Sequence, residues 1–311
     1  MKDVKKGGEK ILLFGGLPYS YLNSWEITSE LKLIEMKINV KFEEVSMKKL
    51  EAKIRELNDA EQMKASDLAE QLLSEALNDP QAKTPEKEEI MKATRLYVAM
   101  KSIIEEHSAE ALTIACGPWI KNGPVPCVAL TMFREEGIPA ACQGDIDALI
   151  TMILFKRASR WTSFMGGGIK IENYLGVSHC VLSRRMLGPT EPKLPYYISD
   201  YHGRKSSPTI HTIMPEGLIV TVARVTRNLE SLILTAGKVV GNLDLKDKCR
   251  NTLLIEVKNV DKVLKAVKGV QQHFVVACGY LEKSMIALAE KAGMRIKIAV
   301  SYTHLTLPTK A

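Results

Sequence analysis

Two short apolar runs, Ala111–Cys116 and Ile138–Cys142, set the tightest limit on how this chain folds. Each stops at small or polar residues. Each is followed by a segment with apolar residues at helical spacing, Val125–Glu136 and Ile146–Arg157. Alternation of this kind builds a parallel sheet with helices on its faces. Parallel strands end on one edge of the sheet, where ligand sites gather. Cys116–Gly117 and Gln143–Asp145 are therefore expected to lie close together.

The same alternation runs upstream. Lys10–Phe14 reads as a first parallel strand ending at Gly15–Gly16. Gly15, Gly16 and Pro18 lack GxGxxG spacing, so a plain strand-to-helix turn is the better reading. Ser24 is a good N-cap for a helix with Ile27, Leu31 and Ile34 on one face. Ile38–Val45 alternates like a strand near a sheet edge. Met47–Leu57, Ala60–Leu77 and Glu86–His107 carry helical periodicity, with a proline-containing loop over 78–85. His107 falls in a last helical turn, where it favours the dipole. The expected fold class is α/β, with a doubly wound parallel sheet over 1–160.

After Trp161 the pattern changes. Short β-like runs follow (Tyr174–Leu182, Leu218–Val225, Ser231–Leu234, Lys238–Gly241, Thr252–Val257), with frequent Gly and Pro. The loop Leu187–Tyr196 is expected to connect without regular structure. This composition predicts a β-rich, antiparallel, barrel-like domain over 161–299. It closes with a helix at Val260–Val267, a strand at His273–Cys278, a helix at Leu281–Gly293 and a strand at Arg295–Val300.

Composition narrows the function. The 311 residues are 46% hydrophobic and 25% charged, which suits a globular protein with a real core. The net charge of +7 comes from Lys and Arg interleaved with Glu and Asp, not from one basic face, so no nucleic-acid partner is expected. Six cysteines, at 116, 127, 142, 180, 249 and 278, form no CxxC pair, and nothing in their spacing requires disulfides or a structural zinc site. The start MKDVKKGGEK has no apolar core, and no segment is long and apolar enough to span a bilayer. A cytoplasmic protein without a membrane partner is expected.

The stretch from Ala115 to Cys180 resembles the sugar ketol-isomerases related to L-fucose isomerase and L-arabinose isomerase. That family reads roughly C-P-x(n)-P-C, then G-I-x-A-A-C-E-G-D-I-x-A-x-L-T-M, then an acidic residue, then N-x-x-x-x-x-H-C. The matches are Cys116, Pro126, Cys127, Gly137, Ile138, Ala140, Ala141, Cys142, Gly144, Asp145, Ile146, Ala148, Thr151, Met152, Asn173, His179 and Cys180. The resemblance implies a Rossmann-like domain before a β-rich one, and a site between them. It implies Mn²⁺ dependence, an ene-diol intermediate, a small-molecule sugar as partner and a homo-oligomer with sites near subunit contacts. Family members carry a further domain before the point matching Lys10. Val300–Thr309 reads like a translated sequencing-library adapter, so 300–311 are expected to be a non-native tail and the chain a fragment at both ends.

Isomerisation moves a proton between adjacent carbons while an oxyanion forms. A divalent metal with carboxylate and imidazole ligands can hold that charge. By the resemblance, the family's Glu falls on Gln143, which carries no net charge, and its second acidic ligand falls within Gly166–Gly168, at Gly167. Its C-terminal metal His falls on His273. The expected roles are catalytic for Gln143 and Asp145, metal binding for His179 and His273, and substrate binding for Trp119, His202 and Arg250. Asp145 has an alternative reading as a helix N-cap, His179 as a core residue, Trp119 as ordinary burial, and Arg250 as the partner of a carboxylate. Two functions follow: a metal-dependent ketol-isomerase, or a metal-free relative that binds a sugar or a subunit without isomerising it. A nucleotide-binding protein has only the sheet pattern in its favour.

Overall fold

Four consecutive apolar side chains, Ile11 to Phe14, are all buried. Strand β1 (Glu9–Phe14) is therefore covered on both faces, as a central parallel strand is. In this computed structural model, residues 8–16, 24–78, 84–120, 124–245, 249–267 and 273–300 are described. Pro18, the tail from 301 onward and the Trp119 side chain lie outside the described residues.

β1 pairs in parallel with β2 (Val40–Val45) on one side and β3 (Ala111–Ile114) on the other. β4 (Ala140–Ala141) adds beyond β3, giving the order β2-β1-β3-β4. Around this sheet run α1 (Ser24–Ile38), α2 (Met47–Arg55), α3 (Asp59–Glu75), α4 (Lys87–His107), α5 (Cys116–Trp119), α6 (Cys127–Glu135) and α7 (Ile146–Ser159). Local chemistry sets their ends. Asn58 and Glu61 close a reciprocal capping box on α3. Ser108 stops α4 in the left-handed conformation. The buried face of α4, including Ile90, Ala93, Leu96, Met100 and Ile103, explains its length.

The second sheet has seven strands: β5 (Phe164–Ile171), β6 (Tyr174–His179), β9 (Ile219–Val225), β10 (Ser231–Leu243), β11 (Asn251–Glu256), β12 (His273–Cys278) and β13 (Arg295–Val300). Their order is β11-β6-β5-β12-β9-β10-β13, and β10 also pairs with β11. β7 (Tyr196–Tyr201) and β8 (Arg204–Thr212) form a separate hairpin. Two helices, α8 (Val260–Ala266) and α9 (Glu282–Lys291), complete the chain. No helix among the described residues is long and apolar enough to cross a membrane.

The purely antiparallel arrangement expected for the β-rich half is corrected. α9 carries the chain from β12 to β13, which lies parallel to β10, so the sheet is mixed. The closing α/β piece is also woven into this sheet, with β12 between β5 and β9. The expected pair of strands at Ser231–Leu234 and Lys238–Gly241 is one thirteen-residue strand. Gly237 lets it run on: an added Cβ would stand 2.7 Å from the Glu256 carbonyl oxygen.

β5 was hidden by its glycines. Gly166 and Gly168 are there because neighbours approach closely: a Cβ would lie 2.8 Å from Val177 Cγ1 at one and 2.4 Å from Phe274 Cε2 at the other. At Gly167, directly opposite His273, the nearest heavy atom would be the Ser178 carbonyl oxygen at 3.9 Å. Urea unfolding should therefore separate these positions. Gly168→Ala is expected to cost about 1–3 kcal/mol through overpacking, and Gly167→Ala to be neutral or slightly stabilising.

Candidate functional site

β3 and β4 lie side by side, with Leu112 opposite Ala140 and Thr113 opposite Ala141. The segments that leave them therefore meet. The Cys116 and Cys142 sulfurs are 3.4 Å apart, and the Gly144 amide donates to the Ile114 carbonyl at 2.9 Å. The turn between β4 and α7 is tight. Gln143 and Gly144 take φ values of 59° and 65°. Gln143 projects into solvent, and Asp145 behind it caps α7 by accepting from the Ala148 amide at 2.9 Å.

Asp145 does more than cap. Its Oδ2 is 2.8 Å from His273 Nδ1 at the start of β12. Arg224, on β9 and fully buried, donates from Nη1 to Oδ2 at 3.0 Å and from Nη2 to Oδ1 at 3.1 Å. Arg224 Nη1 also reaches the His273 carbonyl at 2.8 Å, so one guanidinium fixes both partners. Burial works to raise the Asp145 pKa, but the Arg224 charge and the His273 hydrogen bond outweigh it and hold the carboxyl well below its usual range. Asp147, two residues on, is 3.4 Å from Arg224 Nη2, and its pKa is pushed up to about 7 by burial that Arg224 only partly offsets.

His179, at the end of β6, has its ring centroid 5.3 Å from that of His273. Its Nδ1 accepts from the Cys180 amide at 2.9 Å. The ring proton therefore sits on Nε2, which is buried and makes no hydrogen bond among the described residues. Burial, reinforced by nearby His273, keeps this imidazole neutral far below its usual pKa.

The structure thus brings Asp145, His179 and His273 together at the sheet's carboxyl edge, with Gln143 on the exposed rim. The other named residues go elsewhere. The backbone of Trp119 ends the short α5. Arg250 is fully buried; its Nη2 donates to Asp200 at 2.8 Å and its Nη1 to Asp244 at 2.9 Å. His202 lies at the β7–β8 turn with Nε2 3.3 Å from Cys249 Sγ. Arg224 was missed. Its signal was a lone cation inside the apolar run Ile219–Val225, where a charge needs a buried partner.

Mn²⁺, implied by the resemblance, prefers carboxylate oxygens. The residues in hand do not offer that set. Gln143 has no charge, Gly167 has no side chain, and both Asp145 and Asp147 face Arg224. Two imidazoles remain, without the acids that would balance the ion.

No family model matches the chain. Among curated proteins it is 22% identical over 222 residues to the sulfoquinovose isomerase of Clostridium sp. (strain MSTE9), covering 66% of this chain and 47% of that one. It is 24% identical over 225 residues to the sulfoquinovose isomerases of Priestia aryabhattai and Priestia megaterium, covering 68% of this chain and 49% of each of theirs. These matches support a sugar isomerase family. The chain spans about half the length of these sugar isomerase relatives.

The Asp147 carboxyl gives a pH signature. Its folded pKa of about 7 exceeds its ordinary 3.8, so the folded state keeps a proton that the unfolded state has released. The stability it contributes is whole below about pH 4 and is lost as pH rises through about 7, at up to about 1.4 kcal/mol per pH unit. Asp147→Asn should flatten that decline in urea melts run across this window.

Proposed function

We propose that this chain is an aldose–ketose isomerase that acts on a small sugar through an ene-diol, of the L-fucose/L-arabinose isomerase type. One observation carries the reading. A buried neutral imidazole with an unpartnered Nε2–H (His179) stands beside a second imidazole oriented by a carboxylate (His273 with Asp145). The sulfoquinovose isomerase relatives support its coarser part, sugar isomerisation.

The chemistry divides between the two rings. His179 Nε2–H is a donor for the carbonyl oxygen of the open-chain aldose and for the oxyanion that develops there. His273, with Nδ1–H directed to Asp145, keeps its Nε2 lone pair as a base. It takes the proton from C2 and returns it to C1, while the C2 hydroxyl proton passes to the oxygen on C1. Atoms and charge balance without a redox partner. Mn²⁺ would need acids that Gln143, Gly167 and the Arg224-held Asp145 do not supply. Gln143 and Gly167 favour a second reading, in which the chain binds a sugar without converting it and without metal.

The test incubates the chain with an aldose panel, sulfoquinovose included, in D₂O with and without Mn²⁺. Deuterium at C2 of recovered aldose and ketose formation should appear. His273→Gln should lower both at least about a hundredfold with sugar binding kept. Binding without exchange, insensitive to Mn²⁺, would favour the second reading. Exchange undiminished in His273→Gln would remove the assigned base.

A further inference from the structure

A second cluster of ligating atoms lies beside the imidazole pair described above, and sequence spacing gave no hint of it. Cys180 follows β6 and Cys249 precedes β11. Those strands pair antiparallel with His179 opposite Asn251, so the two cysteines flank the end of one ladder. His202 arrives from the β7–β8 turn. The Cys180 and Cys249 thiols and a His202 ring nitrogen all lie within 4.8 Å of one another, and His202 Nε2 is 3.3 Å from Cys249 Sγ. Tetrahedral Zn²⁺ with ordinary bond lengths sets such atoms about 3.5–3.8 Å apart, so small side-chain movements suffice.

The supporting frame is built. Arg250, next to Cys249, is fully buried and donates from Nε and Nη2 to Asp200 Oδ1 at 3.2 and 2.8 Å. The same oxygen accepts from the Gly203 amide at 2.8 Å, closing the turn that holds His202. One buried ion pair thus locks the strand entrance that carries one thiol to the loop that carries the imidazole. His202 itself has φ of 52°, and Gly203 has φ of 81°. A hairpin turn with both central residues at positive φ favours Asn at the first position. This turn places a histidine there, with its ring 4.1 Å from that of Tyr201 and its Nε2 facing a thiol. Turn geometry alone would not call for an imidazole.

We infer that Cys180, His202 and Cys249 bind Zn²⁺, with the fourth position open on the exposed His202 side. Two thiolates and an imidazole are a soft donor set that suits Zn²⁺ and disfavours Mn²⁺. The site shares no ligand with Asp145, His179 or His273, and it adjoins them through Cys180, whose amide donates to His179 Nδ1. Its occupancy would tie the β7–β8 hairpin to the seven-stranded sheet.

The experiment titrates Co²⁺ into the reduced, metal-stripped chain and reads the thiolate-to-cobalt charge-transfer absorption. One equivalent should bind, Zn²⁺ should displace it, and Zn²⁺ should raise the thermal midpoint reversibly on chelation. Cys249→Ser and His202→Asn should each weaken binding by about tenfold or more, while Cys278→Ser and His273→Gln leave it unchanged. His202→Asn suits the turn and the position is exposed, so folding is preserved; far-UV circular dichroism checks it. No charge-transfer band in the unmodified chain would overturn the site. So would a band that survives His202→Asn and Cys249→Ser but vanishes in Cys116→Ser, which would put the metal on the Cys116–Cys142 pair.

Discussion

The buried guanidinium of Arg224 is the interaction on which the site depends. It sits on β9 of the mixed sheet and grips Asp145, the N-cap of a helix that belongs to the parallel sheet. Burying both charges is expensive, and the pair is tolerable because its geometry is two-pronged and the remaining lone pairs are used by His273 and the Ala148 amide. Arg134 makes a second join of the same kind. Its Nε donates to the Ala140 carbonyl at 3.0 Å, and its Nη1 donates to the Val181 carbonyl. Two fully buried arginines thus seat the parallel sheet against the mixed one.

This arrangement redistributes the chemical roles. A carboxylate held by an arginine and a histidine is a poor proton acceptor, because its negative charge is already stabilised. Asp145 is better suited to aim His273 than to abstract a proton. Gln143, the position aligned with the family's acid, takes a left-handed turn conformation at the rim, and Gly167 opposite His273 offers only space. Of the groups the resemblance pointed to at this edge, two imidazoles remain for proton transfer.

The sequence showed the strand–helix alternation well because its signals are local. The apolar runs at Lys10–Phe14 and Ala111–Cys116, and the helical spacing over Glu86–His107, each report their own environment. Meeting of Cys116 with Cys142 followed from strand direction alone. What stayed hidden depends on distant partners. β5 is disguised by Gly166–Gly168, whose lack of side chains makes sense only beside Val177 and Phe274. The parallel pairing of β13 with β10 depends on how α9 packs. Arg250 drew attention as a candidate for a sugar hydroxyl; its carboxylate partners are Asp200, on the β7–β8 hairpin, and Asp244, which follows β10. The Cys180–His202–Cys249 group has no spacing signature, because its members come from three separate turns.

The length of β10 has one more effect. It pairs with β13 from Ser231 to Thr235, with β9 from Leu232 to Lys238, and with β11 from Lys238 to Leu243. β13 alone covers the outer side from Ser231 to Thr235. A chain that lost or loosened β13 would leave the outer backbone groups of the apolar Leu232–Leu234 unpaired, a template for strand addition by another copy. β13 covers that row of backbone.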